Sequence, residues 1–173
     1  LQQPKKIKVF SWDGEKDTIL SPLDSIRYYK RFLQAGFLAM EPNSGHIQAW
    51  VGGINYKYFQ YDHVKQGKRQ PGSTFKPIVY TAAIDNGYSP CYEVVDAAIT
   101  YAVPGQIPPI WRPNNSSGKY SGETMTIRQA MARSVNSITA FIMSKVGPSN
   151  VVDYARKLGF TSPLNAVPSL CLG

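Results

Sequence analysis

Ser73 and Lys76, three residues apart in Arg69-Gln70-Pro71-Gly72-Ser73-Thr74-Phe75-Lys76-Pro77, are the residue types and the spacing needed for nucleophilic catalysis. In a helix, residues at i and i+3 share a face, so the lysine amine would lie beside the serine hydroxyl. A serine hydroxyl is a weak nucleophile until a base takes its proton. Lysine serves as that base when burial and nearby positive potential lower its pKa. A helix amino end supplies such potential, and its free N–H groups can hold a developing oxyanion.

Spacing alone is weak, because the chain repeats it at Ser116-Ser117-Gly118-Lys119. There, glycine and the preceding Asn114-Asn115 favour a turn over a helix, and the geometric argument fails. The first copy has a different setting. Pro71-Gly72 precedes it, Ile78, Val79, Ala82 and Ala83 recur at helical spacing, and Asn86-Gly87 stops the helix. Pro77 cannot donate to the Ser73 carbonyl, which predicts a kink or a freed carbonyl at that point. A second polar pair, Ser134 and Asn136, forms the single Ser-x-Asn of the chain and falls in a break between two helical patterns.

Several elements must position these groups. Ile7-Lys8-Val9-Phe10-Ser11-Trp12 alternates and reads as a short strand ending at Asp13-Gly14. Ser21-Pro22-Leu23-Asp24 carries a cap, a first-turn proline and an acid, so a helix should run to about Ala35 with Ile26, Tyr29 and Leu33 on its apolar face. Phe37–Met40 and Ile47–Val51 around Pro42-Asn43-Ser44-Gly45 predict a β-hairpin. Residues 89–122 are rich in proline and glycine and read as long, loop-rich ground. Helical spacing returns over Thr126–Ala132, again through Ile138, Phe141 and Ile142, and last from Gly147-Pro148 to Gly159. The picture is mostly helices with one hairpin on the amino side.

A chain of 173 residues with 43% hydrophobic content can bury one real core. The net charge of +8 favours anionic partners such as nucleic acid, acidic lipid or cell-wall polymer. No nucleic-acid module accompanies the charge, so nucleic-acid binding is not expected. Cys91 and Cys171 allow one disulfide or two free, partly buried thiols, and the second reading is favoured. His46 and His63 stand apart from any cysteine cluster, so neither a metal site nor another cofactor is expected. No apolar run approaches the roughly 20 residues needed to span a bilayer. Leu1 in place of methionine suggests a piece of a longer protein.

Ser-x-x-Lys with Ser-Asp-Asn and Lys-Thr-Gly is the signature of penicillin-binding proteins and class A β-lactamases, and Ser134-Val135-Asn136 stands here in the place of the second motif. Beyond the first two motifs, the chain resembles the transpeptidase domain of class A (bifunctional) penicillin-binding proteins. The likeness is carried by the Ser73 segment, by Trp111-Arg112-Pro113-Asn114-Asn115 with Tyr120-Ser121-Gly122, and by Thr126-Ile127-Arg128-Gln129-Ala130 leading to Ser134-Val135-Asn136. Ala155-Arg156-Lys157-Leu158-Gly159 and the hairpin ending Ala49-Trp50-Val51-Gly52-Gly53 also fit. The resemblance implies an α+β fold: a helical subdomain plus an N-terminal β-hairpin of an antiparallel sheet whose later strands are missing. Residues 1–35 would be the linker from a glycosyltransferase, and residues 36–173 the N-terminal part of the transpeptidase.

Under that resemblance, Ser73 attacks the D-Ala-D-Ala bond of a peptidoglycan stem peptide and Lys76 activates it. Ser134 relays protons to the leaving amine, and Asn136 holds the substrate amide. The implied partners are stem peptides, β-lactam antibiotics as covalent inhibitors, and cell-wall synthesis proteins. The implied place is the bacterial cell envelope, on the outer face of the cytoplasmic membrane, with membrane contact only through an N-terminal anchor that this chain does not contain.

One departure stands out. The triplets Lys65-Gln66-Gly67, Lys145-Val146-Gly147 and Lys157-Leu158-Gly159 all lack a central hydroxyl, so Lys-Thr-Gly is absent. The expectation is a chain truncated before that motif, weakly active or inactive by itself. Three rival readings remain. They are a serine β-lactamase, a β-lactam sensor domain, and a basic anion-binding module in which Ser73 is only a helix cap. Deacylation in class A β-lactamases uses a glutamate, and none follows Glu123.

Overall fold

The computed structural model describes residues 3–103, 105 and 107–173. The chain forms two compact units, Leu1–Arg69 and Gln70–Gly173. All four residues singled out for chemistry fall in the second unit.

The first unit opens with β1 (Lys5–Ser11) and β2 (Gly14–Leu20), antiparallel and in register from Lys5↔Leu20 to Ser11↔Gly14. The first strand is expected from its alternation, but its partner is not. Gly-Glu-Lys-Asp-Thr-Ile-Leu shows no apolar period, and even Ile19 is exposed. The strand exists because β1 supplies its ladder. Helix α1 (Pro22–Tyr29) starts as its signals require, with Ser21 Oγ accepting from the Asp24 N–H at 3.1 Å. It stops at Tyr29, well short of Ala35, and Leu33 is exposed instead of lying on a buried face. Aromatic packing wins over helical propensity here. Phe32 meets Phe10 edge-on at 5.1 Å and Phe59 at 5.8 Å, while the Tyr28 hydroxyl donates to the Phe10 carbonyl at 2.8 Å. The hairpin of β3 (Phe37–Met40) and β4 (Ile47–Val51) is present, with a bulge between Ala39 and Met40.

The second unit is built on helices. A 3₁₀ turn (Gly72–Phe75) runs directly into α2 (Lys76–Asp85). Pro77 produces no orphan: the Lys76 N–H donates to the Ser73 carbonyl, so the tighter i→i+3 geometry absorbs the bond that proline cannot make. The loop-rich ground beyond Ser89 holds three short strands, β5 (Glu93–Val95), β6 (Tyr101–Ala102) and β7 (Ile110–Trp111). β5 pairs with β8 (Thr124–Thr126), and β6 pairs with β7, both antiparallel. Helices α3 (Ile127–Ala132), α4 (Asn136–Val146) and α5 (Pro148–Lys157) follow, then a 3₁₀ turn at Pro168–Leu172. Thr126 and Gln129 form a full capping box on α3.

The core of this unit surrounds α4. Ile138, Ala140, Ile142 and Met143 are fully buried, packed by Phe75, Ile78 and Val79 from the segment that follows Ser73 and by Val151 and Ala155 of α5. A helix buried on nearly every side is a rigid post. Its first residue is Asn136, so the core fixes the site. The fold is α+β, with helices and small antiparallel sheets. No described helix is long and apolar enough to cross a membrane.

Candidate active site

Ser73 sits exposed on the 3₁₀ turn, one turn ahead of the buried Lys76. Residues three apart eclipse one another in 3₁₀ geometry, which starts the two side chains from one side of the turn, but among the described residues no hydrogen bond joins Lys76 Nζ to Ser73 Oγ. Neither the 3₁₀ turn nor α2 has a side-chain cap, the N-cap positions being Pro71 and Phe75. Ser73 is therefore not a helix cap, and that alternative loses its basis. Among the described residues the Ser73 hydroxyl has no hydrogen-bond partner, so it is free to meet a ligand.

Lys76 is 2% exposed, and its amine reaches across to the Ser134–Asn136 loop. Nζ donates to the Ser134 carbonyl at 2.7 Å, to Ser134 Oγ at 3.0 Å and to Asn136 Oδ1 at 2.6 Å. These three contacts use all three ammonium protons. Two of the acceptors, a carbonyl and an amide oxygen, can never donate. When Lys76 is neutral and has a lone pair, Ser134 Oγ–H is the only one of the three that can turn to fill it. Burial holds the Lys76 pKa below its usual 10.5, with the nearby Cys171 thiol opposing that shift. A lysine so placed can exchange a proton with a neighbour.

The loop that receives Lys76 has an unusual backbone. After α3, the Ser134 N–H bonds to the Met131 carbonyl at 3.0 Å and the Val135 N–H to the Ala130 carbonyl at 2.9 Å. This is a Schellman end, and its left-handed position normally takes glycine. Here that position is Ser134, with φ +56°, the sole described non-glycine residue at positive φ. A side chain held where glycine is preferred carries backbone strain.

Asn136 is held at both ends of its amide. Nδ2 donates to the Asn114 carbonyl at 2.7 Å, which fixes the orientation that points Oδ1 at Lys76. Behind it lies a polar cluster around Asp96, which motif reading did not single out, although Asn115 and Ser121 fall in segments that carry the resemblance. Asp96 is 4% exposed and accepts from Asn115 Nδ2 (2.8 Å), Ser137 Oγ (2.5 Å), the Ser121 N–H (2.8 Å) and Ser121 Oγ (2.9 Å). Burial alone would raise the Asp96 pKa, but these donations outweigh it and leave it below the ordinary 3.8. The signal for this cluster was faint: a lone aspartate after two valines, and an Asn-Asn pair that reads equally as turn chemistry.

Other expectations are simply located. Ser116–Lys119 forms a turn in which Ser117 Oγ bonds to the Lys119 carbonyl at 3.1 Å, far from helical geometry. Both cysteines are free, Cys91 exposed and Cys171 buried. Among the described residues no group of histidines, cysteines or carboxylates is placed to hold a metal.

Comparison with known proteins places this geometry in a family. The penicillin binding protein transpeptidase domain matches residues 35–167, and the penicillin-binding protein middle domain matches residues 1–33. Penicillin-binding protein 1A of Neisseria meningitidis is 37% identical over 142 residues, which is 82% of this chain and 18% of that protein. Penicillin-binding protein 1A of Pseudomonas aeruginosa is 34% identical over 127 residues, 73% of this chain and 15% of that protein. The chain thus spans less than a fifth of the length of these relatives. The crystal structure of penicillin-binding protein 1A from Haemophilus influenzae matches with a TM-score of 0.75 at 28% identity, over 81% of this chain and 21% of that one. With the family match running through Ser73, Lys76, Ser134 and Asn136, the chain belongs to the penicillin-binding protein transpeptidase domain family.

Proposed function

We propose that this chain carries the nucleophile, base and proton relay of a serine-type peptidoglycan D,D-transpeptidase. The observation that supports this most is the buried Lys76 amine, shared among Ser134 and Asn136 and one turn from an exposed serine. Neutral Lys76 takes the proton of Ser73 Oγ as that oxygen attacks the carbonyl of the penultimate D-alanine. The first-turn N–H of Ser73, free of any side-chain cap, faces the developing oxyanion. The proton passes through Ser134 Oγ to the leaving nitrogen, and terminal D-alanine departs. Asn136 Nδ2 uses one proton on Asn114 and has a second for the substrate carbonyl. An amine of a neighbouring stem peptide then attacks the ester, returns the proton to Ser73 and leaves the cross-link. A positioned base of this kind contributes ~10²–10⁴ in rate.

The same nucleophile would open the strained ring of a β-lactam, forming the acyl-enzyme by which these antibiotics inhibit. Residues 1–35 are read as the segment joining a glycosyltransferase to the transpeptidase, a place that the middle-domain match over 1–33 suits. The site would face cell wall on the outer side of the cytoplasmic membrane, alongside other cell-wall synthesis proteins. The 173-residue chain by itself has no Lys-Ser/Thr-Gly triplet to complete the cleft, so weak or no acylation is expected of it. The test is D-alanine release from a stem pentapeptide with an amine acceptor, using the full-length protein. Release that needs Ser73 supports the reading, and equal release by Ser73→Ala refutes it.

A further inference from the structure

We infer that Asp96 and Asn115 are positioning residues for Asn136 and, through it, for Lys76; the inference rests on the catalytic reading above. Helix α4 has Val135 at its N-cap, and Val135 offers no side-chain bond to the helix's first N–H groups. An amino end left this way carries orphan donors. The missing acceptor comes from a distant loop: Asn115 Oδ1 accepts from the N–H of Asn136 at 3.0 Å and of Ser137 at 3.1 Å. Its neighbour Asn114 accepts from the Asn136 side chain. Two consecutive residues thus hold the backbone and the side chain of one site residue.

Asn115 is in turn held by Asp96. The carboxylate takes Asn115 Nδ2 and, on the same oxygen, the Ser137 hydroxyl, while its other oxygen takes Ser121. Backbone bonds from Asp96 N–H to the Glu123 carbonyl (2.9 Å) and from Gly122 N–H to the Asp96 carbonyl (3.0 Å) tie it to the β5–β8 ladder. The line of contact runs from that ladder through Asp96 and Asn115 to the start of α4, then to Asn136 Oδ1 and Lys76 Nζ. Among the described residues Asp96 makes no bond to Lys76 or Ser73, so it acts through the groups it orients. Misplacing a reacting group by about 1 Å can cost about 100-fold in rate, so a loosened cap should be visible in acylation.

The test uses full-length protein with three substitutions: N115D, D96N and the pair together. N115D keeps an acceptor for the helix but sets two carboxylates against each other. The pair restores the bond with its polarity reversed, Asn at 96 donating to Asp at 115, and a carboxylate also suits a helix amino end. The probe is a fluorescent penicillin, read as the acylation rate constant at saturation and, separately, as affinity. Amide hydrogen exchange at Asn136 and Ser137 reports the cap without reference to catalysis. The expected result for N115D is faster exchange and an acylation rate constant down about 10-fold or more. Adding D96N should recover the greater part of that rate. The inference is overturned if N115D acylates at the native rate while its cap exchanges faster, or if the pair is no faster than N115D alone. A native protein that takes no penicillin, with its cap protected, refutes the catalytic reading and this role with it.

Discussion

The Lys76 amine lies 2.7 Å from the carbonyl and 3.0 Å from the hydroxyl of Ser134, 58 residues further along the chain. Both contacts come from one residue held at φ +56°. The relationship joins two motifs that local sequence leaves unconnected, and it makes the roles of the two residues separable by mutation.

Replacing Lys76 by alanine removes the proposed base and leaves the Ser134 carbonyl and Asn136 Oδ1 without this donor. Acylation should fall by ~10²–10⁴, while the stability lost through the unpaired acceptors should be offset in part by removal of the buried ammonium. Penicillin-labelling kinetics and a denaturant titration check the two separately. Native labelling rates in Lys76→Ala would remove it from the mechanism.

The native acylation rate should depend on pH through Lys76. Burial lowers its pKa below 10.5, and in the proposed mechanism only the neutral amine accepts the Ser73 proton. The rate should therefore rise with pH, levelling once pH passes that lowered value. The same shift has a stability consequence of matching sign. The cost of burying the ammonium is full below the folded pKa and is relieved as pH climbs from there towards 10.5. A rate profile with no Lys76-dependent limb anywhere below pH 10.5 would contradict this.

Ser134→Ala and Ser134→Gly should both lose the relay and slow acylation alike. They should differ in stability, because glycine accepts the left-handed backbone and alanine does not. The glycine variant should be about 1–2 kcal/mol the more stable of the two. Equal melting temperatures would mean that the backbone at 134 is not strained in solution.

The two cysteines should differ sharply towards thiol reagents. Cys91 is exposed and should react at once, whereas Cys171 is fully buried with its pKa pushed up to about 12 and should react only on unfolding. Between its ordinary 9.0 and about 12 the unfolded thiol ionises and the folded one does not, so Cys171 should reduce stability as pH rises through that range. Cys171→Ala should flatten that alkaline loss. Two equivalents of fast-reacting thiol in the native protein would contradict the burial.

What could be read from sequence was what lies within a few residues. Ser-x-x-Lys before a helical pattern, the 134–136 break and the β3–β4 hairpin are all short-range signals, and the structure has a helix, a loop and a hairpin there. The partner strand β2 was not legible, because its seven residues have no apolar period and owe their shape to β1. Helix α1 was overextended because an aromatic cluster gathered from Phe10, Phe32 and Phe59 decides where it ends. The Asp96–Asn115 support was missed for a related reason. A cap supplied by a residue 21 positions from the helix start leaves no mark near the helix.

The central claim, that Ser73 is the nucleophile, is tested most directly by peptide mapping after exposure of the full-length protein to penicillin. Mass spectrometry should find one acyl adduct, on the peptide containing Ser73, and none in Ser73→Ala. Because Ser73 is exposed and unbonded, that variant should keep its stability to within about 0.5 kcal/mol. An adduct on any other residue, or undiminished labelling of Ser73→Ala, would contradict the account.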